Sequence, residues 1–309
     1  MELASNSASP APPPAPAKRP PLKWYWRMLR ILLLAYVGIL IFLYVAQRKL
    51  IFPGAGSQGH ADAIVAPRPG YEVLALKTAD NVTVKALFGA ALDTSGAVDA
   101  NAKSRPTVLF CYGNAMCLQS AMQMFNEFRH MDVNVIIPEY CGFGMSDGVA
   151  SEAGCYASAD AAYEHLMTRT DIDTSKIIIA GWSLGGAVAI DLATRKPAAG
   201  LATFSTFTSM AGMGHNLYPF LPTFLISGIL SHKFESERKI GNVHCPILIG
   251  HGTKDRLIPF AMSERLIQAA TAPVTSLPLE GADHQDFFTF NAAKVSDAFG
   301  NFITATCGR

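Results

Sequence analysis

The chain has 309 residues and a formal net charge of +1. Half of its residues are hydrophobic and only 16% are charged, so there is ample apolar material for a buried core. Basic residues form no stripe beyond the N-terminal region, so nucleic acid is not expected as a partner. The six cysteines contain no Cys-x-x-Cys pair, and we expect neither a metal nor any other cofactor.

The first 21 residues alternate proline with alanine and serine. A segment of this composition has little apolar surface to bury and favours extended conformations. We therefore predict a disordered tail over residues 1–21, acting as a plain spacer.

Residues 22–49 combine an aromatic cluster with an uncharged apolar run from Ile31 to Ala46. At about 1.5 Å per residue, that run alone is shorter than the roughly 30 Å hydrocarbon core of a bilayer. Arg27 and Arg30 can extend their charged ends toward the headgroups, which lets the helix begin nearer Trp24. The segment therefore predicts a transmembrane anchor in contact with the lipid bilayer.

The basic residues flanking this segment predict its orientation. Five precede the apolar run and two follow it closely: Lys18, Arg19, Lys23, Arg27 and Arg30, then Arg48 and Lys49. The positive-inside rule places the N-terminus in the cytoplasm and the rest of the chain in the periplasm, a lumen or the extracellular space. The alternative is a cleaved signal peptide, but Tyr44-Val45-Ala46 has a bulky residue where cleavage favours a small one.

From about Tyr71 onward, short apolar runs alternate with helix-like stretches. The predicted strands are Tyr71–Lys77, Val82–Ala90, Thr107–Cys111, Val133–Pro138, Ile177–Ala180, Leu201–Ser205, Pro246–Gly250 and Val274–Leu279. The predicted helices are Met116–Met131, Ala157–Thr168, Leu184–Arg195, Phe260–Ala270 and Asp286–Ile303. Continuous apolar strands between helices indicate an α/β domain with a mostly parallel sheet covered on both faces, here over residues 50–309.

A strand ending at Ala180 leads into Gly181-Trp182-Ser183-Leu184-Gly185, after which a helix is predicted. Strand, Gly-x-Ser-x-Gly and helix is the context of a nucleophile elbow, in which the serine occupies a strained turn. The motif alone also arises in inert glycine-rich turns, but this context favours Ser183 as a nucleophile. The helix N-terminus would direct its amides toward a developing oxyanion.

A serine hydroxyl needs a base, and in a fold of this type the chain order is serine, acid, histidine. Asp255 follows one predicted strand and His284 follows the last, so both lie at carboxyl ends of strands. We predict His284 as the base and Asp255 as its orienting carboxylate; the alternative for Asp255 is a turn cap. His251 closes a buried strand and is interpreted as structural. Asp283 and Asp286, on either side of His284, are interpreted as helix-start residues.

An oxyanion hole requires two backbone donors. The first predicted donor is the N–H of Leu184, directly after the nucleophile. The second is expected from the loop after strand Thr107–Cys111, at Asn114 or Ala115, with a slight preference for Asn114. Gly-Asn is also common in ordinary turns, so Asn114 has a purely structural alternative.

Seven short motifs carry a family resemblance: Gln47-Arg48-Lys49-Leu50-Ile51-Phe52-Pro53, Gly113-Asn114-Ala115, Tyr140-Cys141-Gly142-Phe143-Gly144-Met145-Ser146, Gly181-Trp182-Ser183-Leu184-Gly185-Gly186, Tyr218-Pro219-Phe220-Leu221-Pro222, His251-Gly252-Thr253-Lys254-Asp255 and Gly281-Ala282-Asp283-His284. With these motifs the sequence resembles the α/β-hydrolase superfamily, in its branch of single-pass membrane abhydrolase-domain proteins and serine-peptidase-like esterases. The resemblance implies an α/β-hydrolase fold and activity on acyl esters or thioesters.

Two positions depart from that branch. It normally has His where this chain has Tyr112, and Arg where this chain has Cys141. The first change affects hydrogen bonding within the predicted oxyanion loop, and the second removes a structural ion pair. Neither position belongs to the predicted triad.

An apolar insertion over about residues 208–234 follows strand Leu201–Ser205, where such hydrolases often carry a cap. It is interpreted either as a lid that shapes an acyl pocket and leans on the bilayer, or as a cap packed on the body. A disulfide between Cys117 and Cys141 is one option if the domain lies outside the cytoplasm, although sequence alone does not establish the pairing.

The sequence therefore predicts a membrane-anchored serine hydrolase that cleaves a small-molecule carboxylic ester or thioester through an acyl-enzyme. One alternative is a serine peptidase acting on small peptides, although nothing in the sequence specifies an amine-binding pocket. The other is a catalytically silent binding or scaffold protein, which the joint presence of Ser183, Asp255 and His284 disfavours.

Overall fold

The computed structural model describes residues 22–308. The predicted disordered tail, residues 1–21, lies outside the described residues. The chain divides into two units, Met1–Val45 and Ala46–Arg309, which are described separately.

The first unit contains most of helix α1, Leu22–Ile51, which is 30 residues long. By length and composition, Lys23–Ile51 is the one helix among residues 22–308 that could cross a membrane, and its most apolar window is not buried. A signal sequence near an N-terminus has the same character, so the helix is compatible with both predictions made for this segment.

The second unit is built on an eight-stranded sheet. The strands are β1 Glu72–Lys77, β2 Thr83–Gly89, β3 Thr107–Cys111, β4 Asn134–Pro138, β5 Ile177–Trp182, β6 Gly200–Phe204, β7 Ile247–Gly252 and β8 Val274–Leu279. Their order is β1-β2-β4-β3-β5-β6-β7-β8. Strand β2 pairs antiparallel with β1 and β4, and all other pairs are parallel. This mostly parallel sheet confirms the predicted fold class.

Among the described residues, nine α-helices follow α1: α2 Leu118–Arg129, α3 Glu152–Thr168, α4 Leu184–Ala193, α5 Met210–Leu217, α6 Thr223–Ile229, α7 Ser236–Ile240, α8 Ala261–Ala269, α9 Phe287–Phe290 and α10 Ala292–Cys307. Every residue of β3, β4, β6 and β7 is buried, which requires cover on both faces of the sheet. On one side, Phe128 of α2 packs against Phe299 of α10, with their ring centroids 5.7 Å apart.

Two helices differ from the sequence prediction for local reasons. Helix α3 begins at Glu152 rather than Ala157, because the Ser151 side chain accepts a hydrogen bond from the Gly154 N–H and caps the first turn. The predicted helix over residues 286–303 is interrupted, because the Asn291 side chain accepts from the Lys294 N–H and starts α10 as a separate helix.

Parallel strands bring their carboxyl ends to one edge of the sheet. The residues that follow β3, β5, β6, β7 and β8 therefore meet there although they are far apart along the chain. Ser183 follows β5, Asp255 lies just after β7, and His284 lies just after β8. The predicted site residues lie at this edge.

Candidate active site

Ser183 lies between β5 and α4 in a strained backbone conformation. Its φ and ψ are 55° and −120°, a backbone conformation that residues other than glycine rarely adopt. The flanking glycines make the turn possible. A Cβ atom on Gly181 would lie 2.1 Å from the Gly185 carbonyl oxygen, and one on Gly185 would lie 1.9 Å from the Cys111 carbonyl oxygen. The Gly-x-Ser-x-Gly sequence thus has a steric cause.

The elbow is also held by the end of β6. The Ser183 N–H donates to the Phe204 carbonyl over 2.9 Å. The Thr206 hydroxyl donates to the Ser183 carbonyl over 2.8 Å. Sequence reasoning missed Thr206; the signal that could have found it is a buried hydroxyl directly after the strand that neighbours the nucleophile strand.

The structure brings Ser183, His284 and Asp255 together in one hydrogen-bonded chain. His284 Nε2 lies 3.1 Å from Ser183 Oγ, and His284 Nδ1 lies 2.8 Å from Asp255 Oδ2. All three side chains are buried. A histidine between a hydroxyl and a carboxylate, at these distances, is the arrangement that general-base activation of a serine requires.

Asp255 is surrounded by donors. Its Oδ1 accepts from the N–H groups of Leu257 and Ile258, over 2.9 and 2.7 Å. Burial favours the neutral acid, but hydrogen bonds from His251, His284 and the Ile258 N–H outweigh it and hold the pKa of Asp255 well below its usual range. An ionised carboxylate only accepts, so His284 Nδ1 carries the proton and Nε2 is left to accept from Ser183.

His251 contacts the same carboxylate. Its Nε2 lies 2.9 Å from the Ile258 carbonyl oxygen and 3.3 Å from Asp255 Oδ2, and its ring is buried. Sequence analysis interpreted it as structural on account of its strand. The structure gives His251 a more specific role, since its imidazole contacts the Asp255 carboxylate that in turn accepts from His284.

The indole of Trp182 stacks on the imidazole of His284, with ring centroids 5.3 Å apart and planes 23° apart. The ring of Phe288 also contacts the indole edge-on, with ring centroids 6.1 Å apart. The indole Nε1 is buried and has no hydrogen-bond partner among the described residues. Trp182 therefore restricts rotation of the imidazole ring by packing.

The loop after β3 lies beside Ser183. A Cβ atom on Gly113 would lie 3.6 Å from the Ser183 Cβ. Asn114 is held from both ends: its Nδ2 donates to the Ile51 carbonyl over 3.1 Å, and its own carbonyl accepts from the Gly54 N–H over 2.8 Å.

The predicted oxyanion donors have no competing acceptor. Among residues 22–308, the backbone N–H groups of Asn114, Ala115 and Leu184 make no hydrogen bond. Helix α4 begins at Leu184, so that N–H is one of the unpaired donors of a helix N-terminus. These three groups are therefore available to a ligand at the carboxyl edge of the sheet.

Tyr112 and Cys141, the two positions that depart from the family pattern, form hydrogen bonds with other residues. Tyr112 and Tyr140 bond reciprocally: the Tyr140 hydroxyl donates to the Tyr112 carbonyl over 2.8 Å, and the Tyr140 N–H donates to the Tyr112 hydroxyl over 3.3 Å. The Cys141 N–H donates to the Ser158 hydroxyl. All six cysteines are free, so Cys117 and Cys141 form no disulfide.

Asp283 and Asp286 do not play the same part. Asp286 occupies the position before α9, as expected of a helix-start residue, and its carboxylate accepts from the Asp283 N–H. Asp283 starts no helix; it accepts from the N–H groups of His284 and Arg256 and pairs with the Arg256 side chain. Asp283 therefore braces the loop that carries the histidine.

Solved structures share this fold. The esterase Pf2001 of Pyrococcus furiosus matches with a TM-score of 0.63 at 16% identity, over 79% of this chain and 98% of that chain. A puromycin-hydrolyzing peptidase of Mycobacterium tuberculosis matches with a TM-score of 0.63 at 19% identity, over 78% of this chain and 40% of that chain. At these identities the likeness establishes the α/β-hydrolase fold.

Sequence comparison identifies relatives. The uncharacterized protein Rv2307c of Mycobacterium tuberculosis is 32% identical over 280 residues, covering 90% of this chain and 95% of that protein. Protein bem46 of Schizosaccharomyces pombe is 31% identical over 225 residues, covering 71% of this chain and 73% of that protein.

The sequence model of the dienelactone hydrolase family matches residues 144–285, a range that contains Ser183, Asp255 and His284. The resemblance inferred from the motifs is thereby confirmed. The chain belongs to the same family as Rv2307c and bem46, it has the α/β-hydrolase fold, and its residues 144–285 are similar to the dienelactone hydrolase family.

Proposed function

We propose that this chain is a membrane-anchored serine hydrolase that cleaves carboxylic esters or thioesters through a Ser183–His284–Asp255 triad. The observation that carries the proposal is the continuous hydrogen-bonded chain from Ser183 Oγ through the imidazole to Asp255, with distances of 3.1 and 2.8 Å. Ser183, the proposed nucleophile, lies in a strained turn at the N-terminus of α4, where negative charge on a bound oxyanion is stabilised.

In the proposed acylation step, Ser183 Oγ attacks the carbonyl carbon of the substrate while its proton passes to His284 Nε2. The carbonyl oxygen becomes an oxyanion, which accepts from the N–H of Leu184 and from that of Asn114 or Ala115. The imidazolium then protonates the leaving alkoxide or thiolate as the bond to the acyl carbon breaks, which leaves an acyl-enzyme.

In the proposed deacylation step, His284 Nε2 takes a proton from water as the water oxygen attacks the acyl carbon. The second tetrahedral intermediate collapses, Ser183 leaves with the proton from the imidazolium, and the free carboxylic acid departs. Asp255 stays ionised throughout and holds the imidazole in the tautomer that both steps need.

A second candidate is a serine peptidase acting on small peptides, favoured by the structural likeness to a puromycin-hydrolyzing peptidase. The same triad would attack an amide, with the imidazolium protonating the leaving amine. The match covers only 40% of that peptidase, so more than half of that protein has no counterpart in this chain. A silent scaffold is disfavoured by the preserved hydrogen bonds of the triad.

The proposed organisation assigns residues 22–49 to the anchor and 50–309 to the catalytic domain, with its cap over about 208–234. Helix α1 supports the anchor by its length and its exposed apolar surface. The excess of basic residues before the helix supports a cytoplasmic N-terminus, with the catalytic domain in the periplasm, a lumen or the extracellular space.

A fluorophosphonate probe tests the nucleophile directly. Detergent-solubilised full-length protein should be labelled at Ser183, and Ser183→Ala should lose the label while Ser175→Ala, a surface control, keeps it. Absence of label on folded protein would contradict the proposal. Turnover of p-nitrophenyl esters of increasing acyl length, compared with aminoacyl anilides, separates the esterase from the peptidase.

A further inference from the structure

The cap, residues 208–234, presents an apolar outer surface that carries no Asp, Glu, Lys or Arg up to residue 232. No Asp, Glu, Lys or Arg lies between Lys196 and Lys233, although 16% of the chain is charged. Three large apolar side chains of the cap are mostly exposed: Leu217 at 57%, Phe220 at 60% and Phe224 at 73%. Large exposed apolar groups that lack neighbouring charges are typical of a surface that contacts another apolar phase.

The same segment has a well-packed inner side. Leu221 and Ile226 are buried, and Gly214 lies so close to Ile226 that a Cβ atom there would be 2.8 Å from its Cγ2. His215 Nδ1 lies 3.2 Å from the Leu221 carbonyl oxygen, which ties α5 to the turn before α6. The cap is thus an ordered element with two different faces, and the exposure of its phenylalanines does not come from loose packing.

The end of the cap is fastened to the residues that follow the apolar run of α1. The buried Gln47 donates from Nε2 to the Ile229 carbonyl over 3.2 Å and accepts at Oε1 from the Ser231 N–H over 2.7 Å. Phe52 meets the ring of His232 at 5.1 Å. These contacts all lie within the second unit, whose first residue is Ala46.

Chain geometry then limits how far the cap can be from a membrane that α1 crosses. The apolar run ends at Ala46, one residue before the Gln47 contacts. Phe224 precedes Ile229 by five residues within α6, which is about 7.5 Å along the helix axis. The headgroup region on each side of a bilayer is roughly 5–8 Å thick, and interfacial apolar groups insert to about 5–10 Å. The exposed face therefore lies within reach of the boundary at which α1 would emerge.

Two hydrogen bonds link the predicted site to the start of the cap and to the end of α1. The cap begins at Thr208, two residues after Thr206, whose hydroxyl holds the Ser183 carbonyl. Asn114, in the predicted oxyanion loop, donates its side-chain amide to the carbonyl of Ile51, the last residue of α1. The predicted nucleophile elbow is thus held by a residue just before the cap, and the predicted oxyanion loop by the last residue of α1.

We propose that Leu217, Phe220 and Phe224 of the cap insert into the bilayer interface, and that the active site draws its substrate from that bilayer. The substrate class is then a membrane-resident acyl ester or thioester, whose chain stays in the lipid while its carbonyl reaches Ser183. This inference rests on the proposed anchoring and hydrolase function. It adds a second membrane contact besides α1.

Depth-dependent fluorescence quenching tests the insertion without requiring catalysis. Full-length protein carrying Trp24→Phe and Trp26→Phe is reconstituted into phosphatidylcholine vesicles with or without brominated acyl chains, and Phe224→Trp is compared with Met167→Trp. Met167 is a matched control, since it is also exposed but lies at the end of α3 that leads back toward the amino edge of the sheet. Signal from the half-buried Trp182 is subtracted using protein that carries only the Trp24→Phe and Trp26→Phe changes.

Brominated lipid should reduce the fluorescence of the tryptophan at position 224 by roughly half or more and leave that at position 167 unchanged. Equal, weak quenching at both positions would overturn the insertion. Self-association of the solubilised protein that is abolished by Phe224→Ser would also overturn it, because a second copy of the chain would then cover the apolar face. Fluorophosphonate labelling of the same vesicles reports on Ser183 separately. Labelling without quenching refutes the insertion alone, and quenching without labelling supports the insertion and refutes the hydrolase.

Kinetics test the source of the substrate. The double variant Phe220→Ser, Phe224→Ser should raise KM for a long-chain ester presented in vesicles by roughly tenfold, since two inserted side chains are lost, with kcat unchanged. Hydrolysis of soluble p-nitrophenyl acetate by the same variant should equal that of the parent. An equal loss on both substrates would show that the cap acts on the site itself and would overturn the proposal.

Discussion

The hydroxyl of Thr206 donates a 2.8 Å hydrogen bond to the carbonyl oxygen of Ser183, the residue with the most strained position in the predicted site. Both residues are buried. A residue with positive φ is stable only where its surroundings hold it, and this bond, with that from the Ser183 N–H to Phe204, supplies part of the restraint. We therefore expect Thr206 to act through the position of Ser183, the proposed nucleophile.

Replacement of Thr206 should show this role. We expect Thr206→Val to lower kcat by roughly tenfold with little change in KM, because loss of one hydrogen bond of about 1–1.5 kcal/mol loosens the elbow. Thr206→Ser keeps the hydroxyl and should restore most of kcat. If both variants behave alike in steady-state ester hydrolysis, the bond to Ser183 has no positioning role.

Removal of a triad member should be far more severe. We expect Ser183→Ala or His284→Ala to lower kcat by about 10⁴-fold or more, and Asp255→Asn by roughly 10⁴-fold, because the imidazole would lose its orienting carboxylate and its tautomer. Asp171→Asn, a surface carboxylate paired with Arg169, is the matched control and should retain activity. Thermal unfolding of each variant must stay near that of the parent. A folded His284→Ala protein with parental turnover would rule out His284 as the base.

Gly185 in the elbow and Gly300 in α10 differ in what an added side chain would contact. Gly185→Ala should prevent stable folding or cost several kcal/mol, because the added Cβ would lie 1.9 Å from the Cys111 carbonyl oxygen. Gly300→Ala, in α10 with nothing within 4 Å, should instead raise the free energy of unfolding by about 0.5–1 kcal/mol. Urea denaturation measures both. Equal effects would mean that the close approach of α4 to β3 is not required.

Glu139 predicts a pH dependence of stability. Burial raises the pKa of this carboxyl to about 7, even though it accepts hydrogen bonds from the N–H groups of Leu118 and Met145. The unfolded value is 4.5, so the folded state holds the proton more tightly between these two pH values. The free energy of unfolding should therefore fall as pH rises from 4.5 through 7, by up to about 3 kcal/mol from this group.

Glu139→Gln isolates that contribution. The amide does not titrate, so the difference in Tm between parent and variant should change with pH over this window and become constant above it. Gln keeps only one acceptor oxygen for two backbone donors, so a uniform loss of stability is expected in addition. Parallel Tm curves across pH 4.5–7 would contradict the assignment.

Much of the architecture is readable from local sequence because its causes are local. A strand buried on both faces must be apolar throughout, so the fully buried β3 was predicted with its observed ends. The partly exposed β8 was also predicted with its observed ends, and the other strands to within two residues. The elbow is also readable, because Gly-x-Ser-x-Gly is a local motif: Gly181 is required by the approach of Gly185 in the same turn, whereas Gly185 is required by the Cys111 carbonyl of β3. The helix starts at Ser151 and Asn291 were missed, because a capping residue looks like any polar residue until its side chain is seen to accept a backbone N–H.

By itself, the sequence determined the alternation of strands and helices, the apolar first helix, and the order of Ser183, Asp255 and His284 along the chain. The first two follow from the hydrophobic pattern, and the third follows from the positions of these residues after the ends of predicted strands. Only the tertiary structure decided which side chains meet. Thr206 reaches Ser183 from a neighbouring strand, His251 shares the carboxylate of Asp255, and Gln47 bonds to the cap 182 residues away. Thr206 and Gln47 lie far from their partners along the chain, and the arrangement of the strands and helices makes them neighbours. His251 lies only four residues before Asp255, but the backbone after β7 decides that their side chains meet.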